Sequence, residues 1–215
     1  LSDETLYLNC GTEIGVAATK TFMSQLIVFY QLAFAASGQL KHFRKKLLDL
    51  SPIVQEQLEY SKPKAQKIAK WISTKQHAYY LGRGINFALA LEGSLKLKEI
   101  SYVHAEGMPA GELKHGTIAL IEKDTPVVLI NPQDYTFHDS LSNALETKAR
   151  GATIVGISDK ENDAYQYFLQ VPKVDEIFYT IFCTIPTQLL AYYAAVERIL
   201  DPDKPRNLAK SVTVK

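Results

Sequence analysis

Three short apolar runs constrain this chain more than anything else in it. Residues 78–81 (AYYL), 126–130 (PVVLI) and 153–157 (TIVGI) carry almost no polar side chain. Segments with helical periodicity separate them. A strand that is apolar on both faces must be covered on both faces, and strands alternating with helices pair in parallel through crossovers. Right-handed crossovers then give an α/β, doubly wound parallel sheet over residues 63–200. Residues 168–171 form a fourth, shorter strand in this reading, and 87–103, 137–150 and 177–200 the covering helices, the last with Pro186 as a kink or as its true start.

The N-terminal part reads differently. Residues 5–9 (TLYLN) alternate enough for a short strand, and CGTEIG follows as a turn with two glycines. A long helix is expected over residues 16–37, with Phe22, Leu26, Phe29 or Tyr30, Ala33 and Ala36 on its buried face and Gly38 ending it. Residues 40–61 read as one or two helices with Pro52 at a helix start. A further helix restarts at Ser61-Lys62-Pro63 and runs to residue 74. The polar helical region suits a connection between domains. The last fifteen residues, DPDKPRNLAKSVTVK, are too polar for a sheet core. Alternation of Arg206, Leu208, Lys210 and Val212 with smaller groups allows an ordered, extended tail. The opening LSDETLYLN, without Met, suggests a fragment or a processed product.

Composition narrows the function. The net charge is +1, from 24 basic and 23 acidic residues, which argues against nucleic acid as partner because phosphate binding needs a clustered basic excess. The densest basic run, KHFRKK at 41–46, is read as a solvated helix face. Cys10 and Cys183 are far apart and form no CxxC, so reduced thiols in a cytoplasmic protein are expected. The apolar segment 22–36 is interrupted by Ser24, Gln25 and Gln31 and is short for a membrane span. No HExxH-like spacing occurs, so neither a metal nor another cofactor is expected.

Candidate chemistry concentrates in residues 81–117. Gly82-Arg83-Gly84 lies between a strand and a helix, but Phe87 stands where a dinucleotide fingerprint needs a small residue. The spacing fits a loop approaching a small polar ligand and a plain tight turn equally well. Ligands in doubly wound domains sit beyond the carboxyl ends of strands, where Gly82, Asn131 and Ser158 fall. Glu92, Lys96 and Glu99, at i, i+4 and i+7, share a helix face. Such a trio is commonly surface decoration, worth only about 0.3–0.5 kcal/mol per pair. Half-buried, it would instead suit proton transfer to and from carbon. His115, in a Gly-flanked Glu-Leu-Lys-His, can shuttle a proton near neutral pH. His104 is read as structural, and His42, His77 and His138 lack converging partners.

Three segments together, CGTEIGVAATKTF, ALEGSLKLKEISYVHAEGMPAGELKHG and PRNLAKSVTV, resemble the glucosamine-6-phosphate synthase family, the isomerising glutamine–fructose-6-phosphate aminotransferases. The resemblance covers essentially all 215 residues in order. It implies two sugar-isomerase (SIS) domains in the whole enzyme, each a flavodoxin-like doubly wound sandwich. Residues 1–38 would be the end of the first, 39–62 a helical linker, 63–200 the second, and 201–215 an active-site tail. It implies that Glu99 moves a proton between C1 and C2 of fructose-6-phosphate. His115, delivered from a neighbouring subunit, assists ring opening, and Lys210 forms a Schiff base with the open-chain ketose. Glu92, Lys96 and Arg206 line or brace the site, and backbone near Val16 and Ala209 approaches the sugar. The implied partners are the sugar phosphate, a glutaminase domain and a second copy of the chain. The loops that hold the sugar phosphate in the family have no counterpart here, so this chain alone is expected to bind the sugar weakly and turn over little. The alternative is a non-catalytic SIS module that binds a sugar phosphate for regulation, or one that mainly supplies a dimer interface. Retention of Glu99, His115 and Lys210 together favours the enzyme.

Overall fold

The computed structural model describes residues 2–211. Two helices come first, α1 (Lys20–Ala36) and α2 (Leu40–Ile72). The sheet domain follows as β1 (His77–Gly82), α3 (Ile85–Ser101), β2 (His104–Pro109), two short 3-10 turns, β3 (Pro126–Ile130), α4 (Phe137–Lys148), β4 (Thr153–Ser158), β5 (Tyr167–Gln170) and α5 (Tyr179–Glu197). All strands pair in parallel, in the order β2-β1-β3-β4-β5.

Successive side chains leave a strand on opposite faces, so each strand feeds two cores. Tyr80, Val128, Ile130, Val155 and Ile157 point to one face and pack with the buried sides of α2, α3 and α5. Tyr79, Leu81, Val127, Leu129 and Ile154 point to the other and pack with Ala144 of α4 and Met108, Leu113 and Ile121. That two-sided burial is why the runs are continuous rather than alternating.

Helix α5 has the length and apolarity of a membrane span, but it is largely buried inside this core. Pro186 lies within it, neither kinking it into two elements nor starting it.

Four sequence expectations fail in instructive ways. Residues 5–9 form no strand; Leu6 and Tyr7 are exposed, and neither sheet edge pairs with them. Helix α1 begins at Lys20 rather than residue 16, because residues 11–19 fold as a loop around a carboxylate described below. Helix α2 runs unbroken for 33 residues through both Pro52 and Pro63. Its buried residues Leu50, Gln57, Ser61, Ala65, Ile68, Ala69 and Ile72 form one face across both prolines. The prolines themselves lie on the exposed side, where water can satisfy the carbonyls they free. Gln57 closes the join to the sheet by donating to Ser61 Oγ at 2.7 Å and to the Gln170 carbonyl at 2.8 Å.

The fourth miss is β2, an edge strand reading HAEGMP with no apolar run. Tyr102, at φ 59°, ends α3 and turns the chain sharply back. Gly107 then lets β2 press against α3, since a Cβ there would lie 2.6 Å from the Ala90 carbonyl oxygen. Close packing against α3, rather than hydrophobic pattern, makes this segment a strand.

Candidate active site

Helix α3 packs extensively on α5, β1 and β2 and carries the acid–base trio on its side. Lys96 Nζ lies 2.5 Å from Glu99 Oε2 and 3.5 Å from Glu92 Oε1. The Lys96 side chain is only 5% exposed, with Glu92 at 16% and Glu99 at 21%. These values exclude surface decoration: one cation is buried between two carboxylates. Burial pushes the Glu92 carboxyl above the usual carboxylate range, the Lys96 charge opposes this, and the Glu99 charge adds to it. The trio thus places two half-buried carboxylates on one buried cation, groups of the type that move protons in general acid–base chemistry.

Lys96 also lines a cavity of about 390 Å³, together with Glu13, Gly15, Gln188 and Asp203. That volume falls within the range of small-molecule sites, roughly 300–1,000 Å³. Three parts of the chain distant in sequence build it: loop 11–19, the facing sides of α3 and α5, and the start of the tail. Val16 N–H donates to the Asp203 carbonyl at 3.1 Å, pinning tail to loop. Arg206 anchors the tail further on, its N–H donating to the Tyr102 hydroxyl at 2.7 Å and its guanidinium lying 4.3 Å from that ring's centroid. Lys210 then folds back onto the loop, with Nζ 3.1 Å from Glu13 Oε2, 2.9 Å from the Gly15 carbonyl and 3.4 Å from that of Val16. Ala209 is exposed beside it. The tail is not the extended segment expected: it runs through bends and a turn at Arg206 and Asn207, the latter at φ 60°, to reach the loop; Val212 lies outside the described residues.

Glu13 is the residue that sequence reasoning missed. One carboxylate oxygen accepts from Thr19 N–H at 2.9 Å, Thr19 Oγ1 at 3.1 Å and Thr21 N–H at 3.4 Å. The other accepts from the Thr21 hydroxyl and from Lys210. Burial alone would raise its pKa, but the bonds from Thr21, Thr19 and Lys210 outweigh burial and hold it at about 2. The carboxylate caps the start of α1, where free N–H groups favour negative charge. A lone acid shortly before Thr-Lys-Thr at a helix start was the only local signal.

His115 sits elsewhere. It ends the 3-10 turn Ala110–His115, is exposed, and has no hydrogen-bond partner among the described residues. It does not line the Lys96 cavity. His77 and His104, on adjacent strands, meet edge to face with centroids 5.8 Å apart, a contact neither was expected to make. Cys183 is buried and its thiol is pushed well up by that burial; Cys10 is also free.

A second hollow, of about 360 Å³, lies at the carboxyl edge of the sheet, lined by Arg83, Gly84, Glu112, Tyr135, Thr136 and Asp139. Arg83 is committed there to Asp139 at 2.9 Å and Asn143 at 3.1 Å. Gly82 serves a tight turn, for a Cβ would sit 2.3 Å from the Asn86 carbonyl oxygen. Of the two readings of Gly82-Arg83-Gly84, the tight turn is the one the geometry displays. Among the described residues no group of three or more His, Cys, Asp or Glu side chains is arranged to hold a metal ion.

The buried trio beside a small-molecule cavity, on a doubly wound parallel sheet, defines a sugar-isomerase type of domain. Residues 71–198 match the SIS domain model, and the chain belongs to the SIS domain family. Along its whole length it is similar to the glutamine–fructose-6-phosphate aminotransferases [isomerizing] of Thermococcus kodakarensis and Pyrococcus horikoshii. Identity is 46% and 47%, over 100% of this chain and 37% of each relative. The chain thus spans a little over a third of the relatives it matches. Among solved structures, the C-terminal domain of glucosamine-fructose-6-phosphate aminotransferase from Francisella tularensis superposes with a TM-score of 0.81 at 35% identity. That match covers 90% of this chain and 58% of that one.

Proposed function

We propose that this chain supplies the isomerase site of an enzyme that makes glucosamine-6-phosphate from fructose-6-phosphate and glutamine-derived ammonia. The observation that carries the proposal is a cavity lined on one side by Lys96, which is buried against Glu99, and on the other by Glu13 and Gly15, on which the Lys210 amine rests. An amine and a protected carboxylate held behind opposite walls of one cavity suit imine chemistry on a ketose. Lys210 attacks the open-chain carbonyl at C2, water leaves, and a protonated imine forms; ammonia then adds at C2 and expels the Lys210 amine, leaving the protonated imine of the ketose itself. That imine is a better electron sink than the ketone, so a proton comes off C1 more readily. Glu99 takes it and returns it to C2. Lys96 holds Glu99 in place, Glu92 braces Lys96, and Arg206 holds the tail so that Lys210 reaches the loop. The backbone at Val16 and Ala209 flanks the sugar.

His115, exposed and away from this cavity, is in a position to serve the site of a second subunit in ring opening, so a homodimer belongs to the proposal. Similarity to longer relatives that carry glutamine in their name supports a glutaminase domain as the source of ammonia. Buried free Cys183 is compatible with a cytoplasmic setting, and the near-neutral charge balance leaves nucleic acid without an evident docking face.

The test is borohydride reduction of the full-length protein with fructose-6-phosphate, followed by peptide mapping. A reduced adduct on Lys210 is expected. Its absence, or an adduct on Lys96 or Lys20 instead, contradicts the reading.

A further inference from the structure

The Lys210 amine has an unusual resting place. Three acceptors from four consecutive loop residues surround Nζ: the Glu13 carboxylate and the carbonyls of Gly15 and Val16. An ammonium group has three N–H donors and no lone pair, so this arrangement matches the charged form of the amine. A neutral amine would present only two donors and aim its lone pair at an acceptor. The nucleophile needed for imine formation is the neutral amine. The loop therefore holds the Lys210 amine against three acceptors rather than free to attack a carbonyl.

We infer that Glu13 is a positioning residue for Lys210: with the Gly15 and Val16 carbonyls it forms a cradle that keeps the amine seated on the loop until the substrate displaces it. The inference rests on reading Lys210 as the imine-forming residue. Glu13 is poorly placed to be the moving partner, because both of its oxygens are already tied to Thr19 and Thr21 at the start of α1. Lys210 is free to move, its side chain being 48% exposed on a tail exposed over residues 206–211. The anchors upstream, Val16 to Asp203 and Arg206 to Tyr102, do not involve Lys210 and can persist when it leaves. Release would carry the amine from the loop toward the cavity wall that bears Lys96.

The other charged groups around the cradle are Lys20, which donates to the Thr12 carbonyl at 2.6 Å, Asp203 beside Gly15, and Lys96 across the cavity with Glu92 and Glu99. Glu13 is the carboxylate in contact with Lys210. Neutralising it should therefore alter Lys210 more than any other lysine.

The competing account makes Glu13 a helix cap and nothing more. Trace labelling with acetic anhydride separates the two, because only neutral, accessible amines react. Each lysine is quantified by peptide mass spectrometry from neutral to alkaline pH, in the native chain and in Glu13→Gln. In Glu13→Gln, Lys210 should label up to about tenfold faster near neutral pH, because its amine is no longer held by a charge-assisted hydrogen bond to the loop. Lys41 and Lys45 serve as unchanged references. Glu13→Asp keeps the charge but withdraws it from Nζ, so it should shift Lys210 in the same direction by less; it also stands in if Glu13→Gln does not fold. Unchanged Lys210 labelling in the folded variants, with only a lower melting temperature, overturns the cradle and leaves the cap. No sugar enters this assay. A Glu13-dependent Lys210 that never traps fructose-6-phosphate would sink the imine reading and leave the cradle standing.

Discussion

Two hollows of similar size lie on this domain, and they are built on different principles. The hollow at the carboxyl edge, between Arg83 and Asp139, occupies the place where doubly wound sheets ordinarily bind ligands. Yet its arginine is already neutralised by neighbours, and its glycines serve the turn. The cavity beside α3 lies off that edge, on the flank of a helix, and is closed by a loop and a tail from the two ends of the chain. Lys96 of the buried ion trio lines it, and the second lysine rests on the Glu13 and Gly15 that form another part of its wall. Position in the fold points to the first hollow; placement of charge points to the second. Charge placement is the better guide, because a buried, uncompensated-looking group is costly unless something requires it.

The comparison can be broken by experiment. The largest effect on stability should come from Lys96→Met. It leaves Glu92 and Glu99 buried together without their cation, a loss of about 3–5 kcal/mol as for one partner removed from a buried pair. Urea denaturation of this chain at neutral pH measures it. A loss below about 1 kcal/mol would show the trio to be solvated after all.

Gly82→Ala tests the carboxyl-edge turn. Its Cβ would meet the backbone at Asn86, so about 1–3 kcal/mol of stability should be lost through displacement of the first turn of α3. If the loss of turnover in the full-length protein exceeds what the loss of folded protein explains, the edge hollow takes part in the reaction.

Acid should act on the loop–tail side. Glu13 has a folded-state pKa of about 2 against an ordinary 4.5, so its contribution to stability is complete above pH 4.5 and disappears as pH falls from there toward 2. The urea midpoint of the native chain should fall more steeply through that window than that of Glu13→Gln. Parallel curves would mean that the carboxylate titrates alike in folded and unfolded chains.

The smallest effect is expected from Asp139→Asn, which removes an exposed partner of Arg83. It should change stability by about 0–1 kcal/mol and leave turnover within about twofold.

Sequence alone revealed the strands buried on both faces, because the parallel sheet forces continuous apolar runs at 126–130 and 153–157. It did not reveal β2, whose polar edge segment is held by close approach to α3 through Gly107. It broke α2 at prolines that the packed face of the helix overrides. At the site, the spacing of Glu92, Lys96 and Glu99 announced a shared face, but spacing carries no information on burial, and burial decides between decoration and chemistry. Glu13 was invisible because its partners are Thr19 and Thr21 on one side and a lysine 197 residues away on the other.

The central claim is that the α3 flank and the C-terminal tail form one reaction site with divided tasks. Glu99→Gln in the full-length protein tests it most directly. General-base loss costs roughly 10²–10⁴-fold in rate, whereas imine formation at Lys210 needs no carboxylate at position 99. The variant should therefore still yield a borohydride-reduced fructose-6-phosphate adduct on Lys210 while aldose formation falls by that factor. Aldose formation at the native rate, with the same adduct in place, would contradict the account.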